Sequence, residues 1–182
     1  MTNTQVIETL AKKLKSRGEE KTDGAVALIL RLINRELEVL VVKRIENPSD
    51  PWSGQIGLPG GKRDAEDQNL KQTVIRETLE ETNINLDNAS RFLGVLDPQP
   101  TRLKPELEVL PFVFLVEHEP QTKLNQKELD WCAWISLKQI AQSKGTIRFG
   151  FGEFPAYLID DKVIWGLTFR ILDSFIRKLD KA

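Results

Sequence analysis

The 182-residue chain has one cysteine and one histidine, and each scarcity removes a class of chemistry. A single thiol, Cys132, cannot form an intrachain disulfide. Its neighbours Trp131, Ala133 and Trp134 place it on a buried strand as an inert core thiol. His118 stands in Glu117-His118-Glu119-Pro120 at the end of an apolar run, where it reads as a turn residue. A His-rich zinc site is thereby excluded, and histidine-based catalysis is not expected. No apolar run approaches the roughly 20 residues of a membrane span, and no apolar stretch of signal length follows Met1. The expectation is a soluble, cytoplasmic protein with no membrane partner. A surplus of one charge is also missing: 26 basic and 27 acidic side chains leave a formal charge of −1. Without an overall basic field, nucleic acid is not an expected partner, whereas a small anion held by a local cluster or a metal remains compatible.

The length suits one domain with a terminal extension, and a chain of this size buries roughly 70% of its unfolded surface, so no covalent staple is needed. Val6, Ile7, Leu10 and Leu14 recur at helical spacing over residues 3–17. Lys12, Lys13, Lys15 and Arg17 lie toward the end, and Gly18 can stop the helix. The expected organisation is an N-terminal helical extension over residues 1–20 packed on a domain spanning 21–182. Ala25–Leu30 and Leu37–Val42 are short apolar runs around Asn34-Arg35, the pattern of a β-hairpin. Residues 47–61, rich in proline and glycine, read as a functional loop. A helix is predicted over 68–82, with strands at 92–96, 109–116, 131–135 and 157–159. A short helix is predicted at 137–142 and an amphipathic one at 167–179, through Leu167, Ile171, Phe175 and Leu179. Strands interrupted by a few helices give a mixed α/β domain with helices covering the sheet. The sequence leaves a homodimer open.

The chemistry concentrates between Pro59 and Ile84. Pro59-Gly60-Gly61 is a backbone device, since glycine lets a ligand approach the main chain. Asp64 and Asp67 suit the turn and N-cap of the helix that follows. On that helix Glu77, Glu80 and Glu81 occupy i, i+3 and i+4, one narrow stripe, while Ile75 and Leu79 point to nearly the opposite side and are expected in the core. Asn83 sits where a helix end favours a left-handed residue. As a solvated face, each like-charge pair would cost about 0.2–0.5 kcal/mol. Lining a pocket, each pair would cost roughly 2–3 kcal/mol at about 6 Å and an effective dielectric near 20, and the cluster would need a cation. Oxygen donors without histidine or cysteine suit Mg²⁺ or Mn²⁺.

The order of these residues resembles the Nudix box, G-x5-E-x7-R-E-U-x-E-E-x-G-U with U apolar. Gly61, Asp67, Arg76-Glu77-x-x-Glu80-Glu81 and Ile84 follow it, and the preceding Leu58-Pro59-Gly60-Gly61 is typical of the superfamily. There are four departures. Asp67 replaces the first glutamate, Thr78 takes an apolar position, Asn83 replaces the glycine, and one extra residue lies between Asp67 and Arg76. The resemblance implies an α/β/α sandwich with a mixed β-sheet and a loop–helix–loop catalytic motif. It also implies a hydrolase that cuts a phosphoanhydride bond in a nucleotide-type small molecule. Glu77, Glu80, Glu81 and the Gly60 carbonyl would hold the divalent ion. Glu77 would alternatively help deprotonate the attacking water, and Arg76 would sit beside the carboxylates and hold them. Glu77, Arg76 and Glu81 are thus the implied catalytic residues. A further acid from outside the box would be Glu106, Glu108 or Glu128, with Glu128 favoured by its place before the Trp131–Ile135 strand.

Flanking segments resemble the coenzyme A diphosphatase branch. Ser53–Gly61 follows its G-x3-F-P-G-G pattern with Leu58 for Phe, and Val163–Thr168 resembles its ending. Arg44 is near one arginine of that branch's motif, whereas the second falls near Asp50. The implied reaction splits coenzyme A into 4′-phosphopantetheine and adenosine 3′,5′-bisphosphate. The alternatives are hydrolysis of ADP-ribose, nucleotide sugars or modified nucleoside triphosphates, or a regulatory module that binds a nucleotide without cutting it. Arg44, Lys62 and Arg63 are the leading candidates for phosphate contacts, with Arg102, Lys104 and Arg148 behind them. Trp52, Phe149, Phe151 and Trp165 are candidates to stack on a base.

Overall fold

The computed structural model describes residues 3–16, 22–102 and 104–180. Its helices are α1 (Asn3–Lys13), α2 (Leu70–Thr82), α3 (Leu86–Ala89), α4 (Leu137–Gln142) and α5 (Gly166–Asp180). Strands β1 (Gly24–Ile33), β2 (Glu36–Arg44), β3 (Ile56–Gly57), β4 (Gly60–Lys62), β5 (Ser90–Val95), β6 (Gln99–Pro100), β7 (Glu108–Val116) and β8 (Leu129–Ser136) form one mixed sheet. β1 and β7 run parallel at its centre, and the other pairs are antiparallel. A second, antiparallel sheet of three strands contains β9 (Lys144–Phe149), β10 (Gly152–Ile159) and β11 (Lys162–Trp165).

The central strands read as continuous apolar runs because both of their faces are covered. Ala25, Ala27 and Ile29 of β1 join Phe112 and Phe114 of β7 in a core closed by Leu70 and Val74 of α2. Leu28 and Leu30, on the other face, join Val39 and Val41 of β2 in a core closed by Leu10 and Leu14 of the N-terminal segment, Ile140 of α4, and Phe169, Leu172 and Phe175 of α5. The result is the α/β/α sandwich expected from the sequence. The N-terminal segment packs on this core through Leu10 and Leu14, and Lys15 forms an isolated bridge with Val95. Of the residues named for the N-terminal helix, Arg17 and Gly18 and the side chain of Val6 lie outside the described residues.

Several sequence expectations need correction. The 47–61 loop contains β3 and β4, which pair with β2 and β1 through backbone hydrogen bonds and are too short to show a side-chain period. β9 and β11 and the small elements α3 and β6 were not anticipated, and β10 begins at Gly152 rather than 157. Neither Asp64 nor Asp67 caps α2; Asn69 does, accepting from the Gln72 N–H. Leu79 does not anchor that helix either: it is 40% exposed, while Leu70, Thr73, Val74, Thr78, Glu81 and Thr82 face inward. The helix is rotated because β4 brings glycines, not bulky side chains, beneath it. Asn83 ends the helix at φ 63°, in the left-handed region, as expected.

The β1–β2 turn places Asn34 at φ 49° and Arg35 at φ 69°. Two successive left-handed residues suit the twist of a hairpin, but arginine is strained there by about 1 kcal/mol. Arg35→Gly is expected to stabilise the protein by about 0.5–1 kcal/mol, read as a higher denaturation midpoint in urea with an unchanged slope.

Candidate active site

Two consecutive glycines shape the site. Gly60 adopts φ +140°, and a Cβ on it would come within 2.2 Å of the Ala25 carbonyl oxygen, so β4 can lie against β1 only with glycine there. A Cβ on Gly61 would come within 2.5–2.7 Å of the Glu77 carboxyl group. The sequence suggested that these glycines admit a ligand to the main chain; the group that makes the close approach here is the side chain of Glu77. One turn further along α2, Glu81 is 3% exposed and its Oε2 accepts from the Gly60 N–H at 2.9 Å. The i, i+4 spacing thus lays two carboxyls along one short glycine strand.

Arg76 arranges the neighbouring acids. It donates from Nε to Asp67 Oδ1 at 3.1 Å and from Nη2 to Asp67 Oδ2 at 3.0 Å. Its Nη1 lies 3.0 Å from Glu77 Oε1 and 3.3 Å from Glu80 Oε2, and Nη2 reaches the Lys62 carbonyl at 3.4 Å. One guanidinium therefore ties the loop before α2, the helix and β4 together. Hydrogen bonding from Arg76 holds Asp67, which is 5% exposed, well below the usual carboxylate range. Asp67 is the buried partner of Arg76, and its Oδ2 also accepts from the Asp64 N–H at 2.9 Å.

The remaining acids are crowded. Burial pushes Glu81 up to about 8, and the charges of Glu77 and Glu128 push the same way, partly offset by the Gly60 N–H and by Arg44. Burial raises Glu77 too, Arg76 opposes this, and Glu80 and Glu128 add repulsion. Glu128 is thus the acid outside α2 whose charge bears on both carboxyls. It is held by the Asn125 side-chain amide, which donates to Oε1 at 2.7 Å, while the Asn125 N–H donates to the Glu81 carbonyl at 2.9 Å. Asn125 carried no sequence signal. Glu106 is exposed on the loop after β6, and Glu108 lies on β7 beside Asp23.

The three-glutamate stripe does not converge as drawn from the helix period. Glu80 turns toward Arg76 with its side chain 56% exposed, and among the described residues no three carboxylate, histidine or cysteine side chains form a ready metal cluster. What remains at the glycine strand is two carboxyls, one deeply buried, whose ionised forms repel each other and Glu128. An all-oxygen set whose ionised forms repel one another, with Arg76 opposing only in part, fits a hard divalent cation.

A cleft of about 340 Å³ opens beside the same strand, lined by Gly60, Gly61, Lys62, Arg44, Trp52, Leu58 and Thr101, and by Leu167, Thr168 and Ile171 around the start of α5. Glu77 and Glu81 are not on its wall; they approach Gly60 and Gly61 from α2, which packs on the sheet face opposite α5. The glycine strand is therefore the shared edge between cleft and carboxyls. Of the candidate phosphate contacts, Arg44 and Lys62 line the cleft. Arg63 does not: it donates to the carbonyls of Asp67 and Gln68, clamping the loop. Among the candidate stacking residues Trp52 lines the cleft, whereas Phe149, Phe151 and Trp165 pack with Phe154. Cys132 is half-buried on β8, and burial raises its thiol pKa. His118 lies in the bend after β7.

Breaking a buried ion pair costs about 3–5 kcal/mol. Because the Arg76 side chain is 30% exposed, Asp67→Asn is expected to lose about 2–3 kcal/mol. Asp67 is lowered on folding, so its contribution is complete above its unfolded pKa near 3.8 and is lost as pH falls from there toward the depressed folded value. Urea unfolding from pH 6 to pH 2 should show a steeper acid loss in the wild type than in Asp67→Asn.

Comparison with known proteins agrees with this architecture. The NUDIX domain family model matches residues 22–154. The peroxisomal coenzyme A diphosphatase ndx-8 of Caenorhabditis elegans is 32% identical over 77% of this chain and 58% of its own length. The mitochondrial coenzyme A diphosphatase NUDT8 of Mus musculus is 27% identical over 96% of this chain and 85% of its own. The chain spans little more than half of the nematode relative, and 32% of another curated relative, from Schizosaccharomyces pombe. The solved MutT protein of Methanosarcina mazei Go1 shares the fold, with TM-score 0.55 at 24% identity over 90% of this chain and 97% of that one. No helix among the described residues is long and apolar enough to cross a membrane. With 22–154 matched and the Arg76–Glu81 helix laid on the Gly60–Gly61 strand, the chain belongs to the Nudix domain family.

Proposed function

We propose that this protein hydrolyses a phosphoanhydride bond in a nucleoside diphosphate linked to a second moiety, with coenzyme A or a derivative as the favoured substrate. The observation that carries this reading is the placement of Glu77 and Glu81 on the glycine strand that also edges the cleft. A diphosphate lying across that edge would have its bridging region at the carboxyls and its two arms free to extend, one of them into the cleft. The names of the nematode and mouse relatives favour coenzyme A. So does a cleft with apolar lining, including Leu58, Leu167 and Ile171.

Glu81, Glu77 and the Gly60 carbonyl would hold Mg²⁺ or Mn²⁺, with Glu80 reaching it after leaving Arg76. The bound ion would supply polarisation of the phosphoryl oxygens. Glu77 would either hold the ion or accept the proton of the attacking water. Arg76 keeps Glu77 oriented against Gly61 while its bidentate grip on Asp67 fixes the loop. Lys62 and Arg44, which line the cleft, would contact phosphate oxygens of the diphosphate. Glu128 is the further acid, held by Asn125 near both carboxyls.

Cleavage should require Mg²⁺ or Mn²⁺, cease with chelator, and fall on the order of 10²- to 10⁴-fold in Glu77→Gln and in Glu81→Gln. Coenzyme A, ADP-ribose, ADP-glucose and 8-oxo-dGTP, compared by kcat/KM with phosphorus-detected products, identify the substrate. Coenzyme A is expected to lead. Tight nucleotide binding without turnover of any of the four would instead identify a regulatory module.

A further inference from the structure

We propose that Asp50 is a specificity-determining residue: by occupying Arg44 on the cleft wall, it withholds that guanidinium from any phosphate the nucleotide carries beyond its diphosphate. The inference rests on the nucleotide reading above and adds that coenzyme A, as the favoured substrate, would be held through its diphosphate and draw no affinity from its 3′-phosphate. Arg44 ends β2 and lines the cleft, and its charge also bears on Glu81, so it stands between the cleft and the carboxyls. Its Nε donates to Asp50 Oδ2 at 2.8 Å, and its Nη2 lies 2.8 Å from the same oxygen. An arginine grips a phosphate best with paired N–H groups along one edge of the guanidinium. The Nε–Nη2 edge is the one Asp50 takes.

Asp50 is not a chance surface partner. Its other oxygen, Oδ1, accepts from the Trp52 N–H at 3.0 Å. Its backbone is tied on both sides, with the Asp50 N–H on the Asn47 carbonyl and the Ser53 N–H on the Asp50 carbonyl. The Ser53 hydroxyl in turn accepts from the Asn47 N–H at 2.8 Å. The side chain is 16% exposed, against 34% for Arg44. One carboxylate thus fixes a cation and the amide of a cleft-lining indole together. Among the described residues Lys62 is the other basic residue on the cleft wall, which also includes Asp23 and Glu108. A diphosphate can lie at the glycine edge beside the cation site, while an added phosphate monoester, such as the 3′-phosphate of coenzyme A, gains no ion pair from an arginine that Asp50 already holds.

The test compares two nucleotides that differ by one phosphate, AMP and adenosine 3′,5′-bisphosphate, by calorimetry in the presence of Mg²⁺. Neither contains a phosphoanhydride, so the result is independent of whether the protein turns over its substrate. The wild type is expected to bind the two within about threefold of each other. Asp50→Asn keeps an acceptor for the Trp52 N–H and removes the charge. It should bind the bisphosphate about tenfold more tightly and leave AMP within about twofold. The double variant Arg44→Ala/Asp50→Asn should lose that gain, which separates release of Arg44 from a general change in field. The proposal is overturned if Asp50→Asn leaves the ratio unchanged, if the double variant keeps the gain, if the wild type already prefers the bisphosphate tenfold, or if neither protein binds the bisphosphate. Failure of the proposed function would appear separately, as no hydrolysis of the substrate panel.

Discussion

Everything at the site follows from a carboxylate helix resting on the two glycines of a short strand. Glu81 can reach the Gly60 N–H, and Glu77 can lie flat on Gly61, because nothing projects from β4 on that side. Any residue other than glycine at 61 would occupy the volume of the Glu77 carboxyl. At 60 it would collide with β1 itself. The same contact that builds the site also makes it electrostatically unfavourable. Glu81 is buried and Glu77 half-buried; burial foremost, with the charges of Glu77 and the exposed Glu128, pushes Glu81 up to about 8. A divalent cation is the simplest chemical answer to that crowding.

The scaffold holds this arrangement through both layers. Leu70 and Val74 fix α2 over the sheet from the apolar side, and Arg76 fixes it from the polar side by joining Asp67, Glu77, Glu80 and the Lys62 carbonyl. On the far face, α5 closes the second core and contributes Leu167, Thr168 and Ile171 to the cleft. The glycine strand is where the two halves meet, with the cleft on one side and the carboxyls of α2 on the other. Thr78 is fully buried at a position the family motif makes apolar, and its Oγ1 has no hydrogen-bond partner.

Long, strongly patterned features were legible in the sequence. The β1–β2 hairpin, α4 and α5 and the α2 helix with its left-handed Asn83 all follow from local periodicity and turn chemistry. The Arg76–Glu81 order pointed to the family directly. Elements held by backbone pairing rather than by pattern were not legible: β3 and β4 span two and three residues, and β11 four. The face of α2 was misjudged for a related reason. Helix spacing put Ile75 and Leu79 inward; Ile75 does pack against the core, but only tertiary structure reveals that glycines lie below and admit Glu81 instead of Leu79. Glu80 looked equivalent to its neighbours until Arg76 was placed beside it. The engagement of Arg63 by the Asp67 and Gln68 carbonyls and the Asp50–Arg44 pair depend on loop geometry that leaves no periodic signal in the sequence.

The most direct test of the account is the ionisation of Glu81, followed by carbon-detected NMR of the side-chain carboxyls from pH 4 to pH 9. Glu81→Gln identifies the resonance. Without divalent ions the carboxyl should titrate near 8. With saturating Mg²⁺ it should be ionised throughout, titrating below about 5. An unchanged titration in Mg²⁺ would mean that the buried carboxyl takes no part in holding a cation, and the account of this site would be wrong.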